Sequence, residues 1–268
     1  MPHIEIAAEK LFFVFGMPIT NTLLMSWLVV AILITAALVI SRNVQLVPQG
    51  VQNVFEFVVE GFLGLMEGVL GSRRHAEKYI PLVGTIFLFI AISNWLGILP
   101  GVGSIGFLES VKEEPSAVTA IEHAPEPARE EEASEAHTKF VPFFRSAASD
   151  LNFTLTLAAL TVIIINVSAA RALGIGAHLA KYFSFKGPIE FFVGILEFIS
   201  EFAKIISFAF RLFGNIFAGE VLLVITGFLV PYGAPIPFLM LELFVGFIQA
   251  LVFAMLTMVF ISIAVAHH

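Results

Sequence analysis

Residues 210–220 read Phe-Arg-Leu-Phe-Gly-Asn-Ile-Phe-Ala-Gly-Glu, and they lie inside an apolar run that extends from residue 189 to residue 228. Arg211 is therefore a cation placed where a membrane-spanning helix would be surrounded by hydrocarbon. A guanidinium stays protonated in proteins, and an Arg at the centre of a spanning helix costs roughly 2.5–3.5 kcal/mol to insert. Its side chain could reach the headgroups only if Arg211 were near a helix end, and Arg211 lies well inside the run. The sequence predicts that this cation has a function within the membrane.

The composition of the whole chain is that of a membrane protein. Hydrophobic residues make up 58% of the sequence and charged residues only 13%. About 20 apolar residues span a bilayer, and five segments qualify: residues 22–41, 80–100, 151–170, 189–228 and 237–266. We therefore predict an all-α integral membrane protein with five membrane helices. The chain has no cysteine and no Gly-rich phosphate loop, so we expect no cofactor, no metal site and no nucleotide chemistry on this chain.

The last two apolar segments are too long for upright helices. Residues 189–228 contain no proline and would extend about 60 Å as a helix, and residues 237–266 about 45 Å. The hydrocarbon core is only ~30 Å thick. We expect residues 189–266 to form a long, steeply tilted hairpin. The alternative is a set of shorter helices that break at glycines (Gly214, Gly219 and Gly227).

Residues 49–69 have a different pattern, in which polar side chains share one helical face and Val, Phe and Leu occupy the other. The polar positions are Gln49, Asn53, Glu56, Glu60 and Glu67. Their spacing predicts an amphipathic helix lying at the membrane interface. Packing of this helix against partner helices is the alternative.

The acidity of the chain is concentrated in one segment. Residues 109–139 hold nine Glu and three basic residues, whereas the net charge of the whole chain is −7. They are rich in Glu, Ala, Pro and Ser and lack aromatic residues, which predicts a disordered, dispensable insertion. His123 and His137 lie in this segment, and their unstructured spacing favours a solvated loop over a metal site.

The basic residues predict the orientation of the chain. Arg42, Arg73, Arg74 and Lys78 flank the first two spans on one side, and Arg171, Lys181 and Lys186 follow the third span on the same side. Because basic loops face the cytoplasm, the N-terminus is expected outside and the C-terminus, with His267 and His268, inside. The chain then divides into an outer segment (1–21), the first two membrane helices (22–108), the acidic outer insertion (109–139) and a C-terminal membrane domain (140–268).

Polar residues form a stripe along the apolar run that contains Arg211. On a helical wheel the stripe occupies an arc of about 80°, and its members are Glu190, Glu197, Glu201, Lys204, Arg211 and Asn215. Such a stripe must face a polar path or a charged partner rather than lipid. Glu220 lies off the stripe and is expected to turn toward the last helix, where Glu242 and Gln249 share one face. We expect Glu242 and Gln249 to pair with Glu220 and Asn215.

Several of these residues also have simpler interpretations. Glu201 and Lys204 are spaced i,i+3 and could neutralise each other. Asn215 could bond a neighbouring helix, and Gln249 could link two helices by a hydrogen bond. Asp150 is well placed to cap a helix. Gly214 and Gly219 favour close helix packing over contact with an ion.

The string from Arg211 to Glu220 closely resembles the Arg-Leu-Phe-Gly-Asn-x-x-Ala-Gly-Glu signature of subunit a of F-type ATP synthases. Further segments are similar to the same family and cover roughly residues 20–105 and 140–266. These segments are Ser93–Pro100, Pro142–Ser146, the stretch Ser149–Thr154 with Asp150 and Asn152, and the last helix with Glu242, Gln249, Ala250 and Phe253.

The resemblance implies a membrane stator that passes protons to and from a rotating c-ring through two half-channels. It assigns Arg211 the central position, matches Glu220 and Glu242 to the outer half-channel, and matches Glu197 to the cytoplasmic one. Glu190 and Glu201 are added to the cytoplasmic route from the helical wheel alone. The implied partners are the c-ring proteolipids, the peripheral-stalk b subunits, other ATP synthase subunits and lipid, without nucleic acid, in a bacterial inner membrane.

Two other classes of function compete with this one. A self-contained antiporter would favour inverted repeats and spans broken by Gly or Pro, and no internal repeat is visible. A structural scaffold would not need a stripe of buried charges. The sequence does not distinguish H⁺ from Na⁺, and the proton is our default because no cage of oxygen ligands is evident.

Overall fold

The computed structural model describes residues 8–266, apart from residues 15, 43, 46, 48, 100, 112–136, 183–186 and 231. Within these residues the chain forms α-helices α1 Asn21–Arg42, α2 Val51–Leu70, α3 Arg73–Ile98, α4 Leu151–Leu173, α5 Ile175–Tyr182, α6 Pro188–Leu229 and α7 Pro235–Ala266. Five of them (α1, α3, α4, α6 and α7) are long and apolar enough to cross a membrane. The prediction of an all-α membrane protein with five membrane helices is confirmed.

The core lies where α7 contacts α3, α4 and α6. Ala250 and Ala254 on α7 are fully buried, and small residues of this kind let membrane helices approach closely. Phe208 of α6 packs against Phe253 of α7 with ring centroids 4.6 Å apart. These contacts hold α6 and α7 together as a hairpin against the rest of the bundle.

The helix boundaries differ from the predicted spans at two places. α3 begins at Arg73 rather than at residue 80, and its additional first turns are charged: Arg73 bonds Glu60 at 3.0 Å and Glu77 at 3.4 Å. α4 continues to Leu173 and ends at Gly174, whose φ of 89° a residue with a side chain rarely adopts. The short helix α5 follows this glycine and was not predicted.

Helix α6 is continuous over its 42 residues. It does not break at Gly214, Gly219 or Gly227, so the alternative of shorter pieces is wrong. At ~1.5 Å per residue α6 is about 63 Å long, which exceeds the thickness of a bilayer core about twofold. The steep tilt of the α6–α7 hairpin stays a prediction.

Two antiparallel hairpins add strands that the sequence pattern did not predict. β1 Lys10–Val14 pairs with β2 Met17–Thr20, and β3 Gly106–Val111 pairs with β4 His137–Pro142. The ends of the acidic segment, residues 109–111 and 137–139, therefore belong to strands, and the prediction of disorder is wrong for them. The average composition of residues 109–139 concealed the pairing of their flanks. The rest of the insertion, with His123, lies outside the described residues, as do Lys186 and the terminal His267 and His268.

Helix α2 packs one face against α3 and leaves much of its apolar surface open. Phe62, Leu63 and Met66 are buried in the common core, whereas Phe57 is 80% exposed. Two glutamates of α2 bond polar side chains: Glu56 accepts a hydrogen bond from Gln52 at 2.7 Å, and Glu60 pairs with Arg73 at 3.0 Å. The interfacial position of α2 stays a prediction.

Candidate ion-translocation site

The predicted polar stripe of α6 separates into three groups in the structure. Glu197, Glu201 and Lys204 line one cavity, Arg211 and Asn215 lie on a more open part of the helix, and Glu190 is exposed in the first turn. Glu220 lies on another side of α6 and lines a second cavity with Glu242 of α7. The sequence thus predicted which charges occupy α6, and the neighbouring helices decide which of them meet.

The first cavity, called here the Glu201 cavity, has a volume of about 530 Å³ and lies where α4, α5, α6 and α7 meet. Its polar lining consists of Asn166, His178, Lys181, Glu197, Ser200, Glu201 and Lys204. Residues from α7 that line it, Phe260, Ile263 and Ala264, are apolar. The charges of the cavity therefore come from α5 and α6.

The two carboxylates of the Glu201 cavity are both paired with lysines. Lys204 donates to Oε1 of Glu201 at 2.7 Å, which confirms the predicted i,i+3 pair. Lys181 of α5 forms an ion pair with Glu197. Glu201 also accepts hydrogen bonds from the Asn166 amide at 3.0 Å and from the Tyr182 hydroxyl at 3.3 Å.

Two titratable groups of α5 at this cavity, His178 and Tyr182, have shifted pKa values. Partial burial lowers the pKa of His178, the nearby Lys181 lowers it further, and Glu201 opposes the shift. Burial raises the pKa of Tyr182, and the adjacent Glu201 raises it further. Near pH 7, His178 is therefore a neutral imidazole and Tyr182 a protonated hydroxyl that can donate a hydrogen bond.

Arg211 is half-buried and has no carboxylate partner among the residues that the structure describes. Its Nη2 donates to the Ser207 hydroxyl one turn earlier at 3.3 Å. The adjacent Gly214 and Asn215 are exposed, and nothing lies within 4 Å of the position of a Cβ at Gly214. The guanidinium is therefore available to a negative group on a partner molecule.

The second cavity, called here the Glu220 cavity, has a volume of about 200 Å³ and lies between α3, α6, α7 and the segment before α4. Glu220 pairs with Arg145, whose Nε donates to Oε1 at 2.9 Å and whose Nη2 donates to Oε2 at 3.2 Å. Arg145 is only 9% exposed. A buried Arg in this two-point geometry fixes the direction of the Glu220 carboxylate.

Glu242 is the most enclosed carboxylate of the two cavities. It is 7% exposed and, within the described part of the chain, has no hydrogen-bond or ion-pair partner. Its carboxylate lies directly against Gly219 of α6, where a Cβ would overlap it. The missing side chain at Gly219 thus leaves space for the Glu242 carboxylate, and not for the backbone of a second helix.

Besides Glu190, Arg211 and Asn215, three more of the predicted site residues line neither cavity. Asp150 caps α4 by accepting from the Asn152 backbone N–H at 3.0 Å, and it accepts from the Thr22 hydroxyl at 3.2 Å. Its predicted role as a helix cap is confirmed, and the Asn152 side chain is exposed. Gln249 has a buried Oε1 without a partner among the described residues, and the expected pairing of Asn215 with Gln249 is not formed.

Sequence reasoning missed five residues that complete the two cavities: Arg145, Asn166, His178, Lys181 and Tyr182. Arg145 was considered only as part of a family segment, and Lys181 only as an orientation signal. Asn166 had a usable signal, because an amide in the middle of an apolar span needs a partner on another helix. His178 and Tyr182 lie on a helix that was not predicted.

The fold and the site together define a multi-pass membrane protein of ion transport. A family model described as ATP synthase A chain matches residues 23–262. ATP synthase subunit a of Campylobacter jejuni subsp. jejuni serotype O:23/36 (strain 81-176) is 32% identical over 239 residues, which cover 88% of this chain and 85% of that protein.

A second relative, ATP synthase subunit a of Helicobacter pylori (strain Shi470), is also 32% identical, over 84% of this chain and 80% of its own. The chain therefore belongs to the ATP synthase subunit a family. The resemblance noted in the sequence is confirmed, and with it the prediction of a membrane protein of ATP synthesis and ion transport.

Proposed function

We propose that this chain is the stator subunit that carries protons to and from the c-ring of a rotary ATP synthase. The observation that supports this most strongly is the position of Arg211. It is a half-buried cation with no acidic partner in the described part of the chain, and cavities lined by carboxylates lie on either side of it along α6.

The two cavities correspond to two half-channels that do not join. Glu201 lies ten residues before Arg211 and Glu220 nine residues after it, which is about 15 Å and about 13 Å along the helix axis. Carboxylates suit both routes because they exchange protons with water. Glu220 and Glu242 line the outer route, Glu197 and Glu201 the cytoplasmic route, and Glu190 lies at the cytoplasmic entrance.

Arg211 separates the routes and couples them to rotation. A guanidinium cannot transfer its proton at physiological pH, and it attracts a deprotonated carboxylate arriving on the ring. A ring carboxylate takes up a proton from one route and releases it into the other only after the ring has turned. Asn215 and the exposed surface around Gly214 face the ring in this arrangement, and Gln249 supports the hairpin.

The remaining surfaces contact the other subunits and the lipid. We place the N-terminus outside and the C-terminus in the cytoplasm of a bacterial inner membrane, with the c-ring along α6 and α7 and the peripheral-stalk b subunits against the other helices. We take the proton as the transported ion, because carboxylates line both cavities and carboxylates exchange protons with water.

Vesicles distinguish this function from a self-contained antiporter. Purified ATP synthase containing this chain should acidify the vesicle lumen when ATP is added in sodium-free buffer. Vesicles holding this chain alone should neither exchange Na⁺ for H⁺ nor dissipate an imposed pH gradient. Ion exchange by the isolated chain would support the antiporter, and acidification that requires Na⁺ would exclude the proton as the coupling ion.

A further inference from the structure

A network of hydrogen bonds centred on Asn166 joins α4, α5 and α6 beside the Glu201 cavity. Asn166 lies half-buried in the apolar helix α4 and uses both ends of its amide. Its Oδ1 accepts from the Tyr182 hydroxyl at 2.9 Å and lies 3.1 Å from His178 Nε2. Its Nδ2 donates to the Val162 carbonyl at 2.9 Å and to Glu201 Oε2 at 3.0 Å.

These contacts fix the orientation of the Asn166 amide. A backbone carbonyl and a carboxylate can only accept, so the NH₂ group must face Val162 and Glu201. The carbonyl oxygen then faces α5 and needs donors there. It follows that His178, which is neutral, carries its proton on Nε2, and that the Tyr182 hydroxyl points at Asn166.

The junction holds Glu201 more firmly than Glu197. Glu201 accepts hydrogen bonds from Asn166 and Lys204, and its side chain is 14% exposed. The Tyr182 hydroxyl, which donates to Asn166, also lies 3.3 Å from Glu201. Glu197 pairs with Lys181 and is 32% exposed. A carboxylate with donors from two helices is an anchored acceptor, whereas the more open Glu197 can exchange protons with water in the cavity.

Close backbone packing supports the same junction. Gly194 of α6 lies directly against the Tyr182 backbone carbonyl, where a Cβ would overlap it. The end of α5 is thus pressed onto α6 at the level of Glu197 and Glu201, and α5 forms one wall of the Glu201 cavity.

Resting on the proposed function, we propose that Asn166 is a positioning residue of the cytoplasmic route. Together with His178 and Tyr182 it fixes α5 against α6 and holds Glu201 and Lys204 in place. Of the two carboxylates that line this route, Glu201 then acts as an anchored acceptor, and Glu197 is the one that transfers protons. The role depends on the direction of the Asn166–Glu201 hydrogen bond and not on the volume of the side chain.

A reversal of this hydrogen bond tests the proposal. Asn166→Asp keeps the shape of the side chain but replaces the donor with a carboxylate 3.0 Å from Glu201. ATP-driven proton pumping per assembled complex should fall about tenfold, the effect of losing one hydrogen bond to a charged group. The double variant Asn166→Asp/Glu201→Gln restores a donor facing an acceptor, with unchanged net charge, and should recover most of the rate.

Tyr182→Phe provides a second variant that removes only a hydroxyl, and it should lower pumping severalfold with normal assembly. Complexes with the wild-type chain and with Arg211→Ala are prepared and measured in parallel. If the proposed function is wrong, pumping will not depend on Arg211. If Arg211 is required but Asn166→Asp and Tyr182→Phe both pump at the wild-type rate, the positioning role is overturned. Loss in Asn166→Asp without recovery in the double variant overturns it as well.

Discussion

At the scale of single residues, the two outer carboxylates differ in their surroundings although they share one cavity. Glu220 is held by two hydrogen bonds from Arg145, whereas Glu242 is enclosed and has no partner in the described part of the chain. A buried carboxyl without a fixed partner is free to exchange its proton with water that enters the cavity. In the proposed outer route Glu242 is therefore the group that transfers protons, and Glu220 is the oriented one.

Glu242 should accept replacement by His better than replacement by Gln. Imidazole can take up and release a proton near neutral pH, and an amide cannot. Glu242→His should keep measurable ATP synthesis, and Glu242→Gln should lower it by about tenfold or more. Synthesis is measured in vesicles and normalised to assembled complex. Undiminished synthesis by Glu242→Gln, equal to that of wild type, would remove Glu242 from the proton route.

At the scale of helices, the α6–α7 contact is adapted to a carboxylate. Gly219 is buried against Glu242, and Asn94 of α3 donates to the Gly246 carbonyl on α7 at 3.0 Å. A Cβ at position 219 would overlap the Glu242 carboxylate, whereas a Cβ at Gly214 would meet no atom within 4 Å. Gly219 is therefore required for the contact, and Gly214 is not. The contact of Gly219 with Glu242 makes the spacing of α6 and α7 part of the proposed outer route.

Gly219→Ala should disturb the outer route more than another Gly→Ala change on the same helix. Its Cβ would displace the Glu242 carboxylate, so we expect ATP-driven pumping to fall about tenfold, while assembly is retained. Gly227→Ala is the matched control, because its Cβ would meet only Pro235 Cγ at 4.0 Å. A Gly219→Ala variant that pumps as well as Gly227→Ala would contradict the packing of Glu242 described here.

Local features of the helices could be predicted from the sequence, and contacts between distant segments could not. The polar stripe and the Glu201–Lys204 pair follow from spacing along one helix. The Arg145–Glu220 pair joins residues 75 positions apart, and the Asn166–Glu201 bond joins residues 35 apart. No period in the sequence encodes such pairs. The helix α5 was missed because a stretch of eight helical residues is too short for a periodic signal.

At the scale of the whole molecule, the residues of the two proposed proton routes belong to the helices and to the segment before α4, and in the sequence the acidic insertion joins β3 to β4. β4 reaches the Glu220 cavity, since Pro142 at its end lines it, and Gly106 of β3 pairs with Pro142. The hairpin therefore belongs to the folded part of the molecule, and only the segment between the strands has the composition of a solvated loop. The tilt of α6 and α7 in the membrane is expected from their length.

Deletion of the insertion should leave ion transport intact if both strands are kept. Residues 113–135 are replaced by a short Gly/Ser linker, which preserves the pairing of β3 with β4. ATP-driven pumping in vesicles should stay within about twofold of wild type, since loop length has a small effect on stability. Complete loss of pumping in a normally assembled complex would show that the acidic segment takes part in transport.

The central claim is that Arg211 keeps two proton routes apart and attracts the ring carboxylate, and replacement of Arg211 tests it most directly. ATP synthesis and the decay of an imposed pH gradient are measured in vesicles holding the assembled complex, with the exposed Arg171→Ala as a control. Arg211→Lys should abolish synthesis, because a compact ammonium is hydrated differently and can lose its proton when buried. Arg211→Ala should abolish synthesis and add a proton leak. Substantial synthesis by either Arg211 variant would contradict the claim, and loss of synthesis without a leak in Arg211→Ala would contradict the separation of the routes.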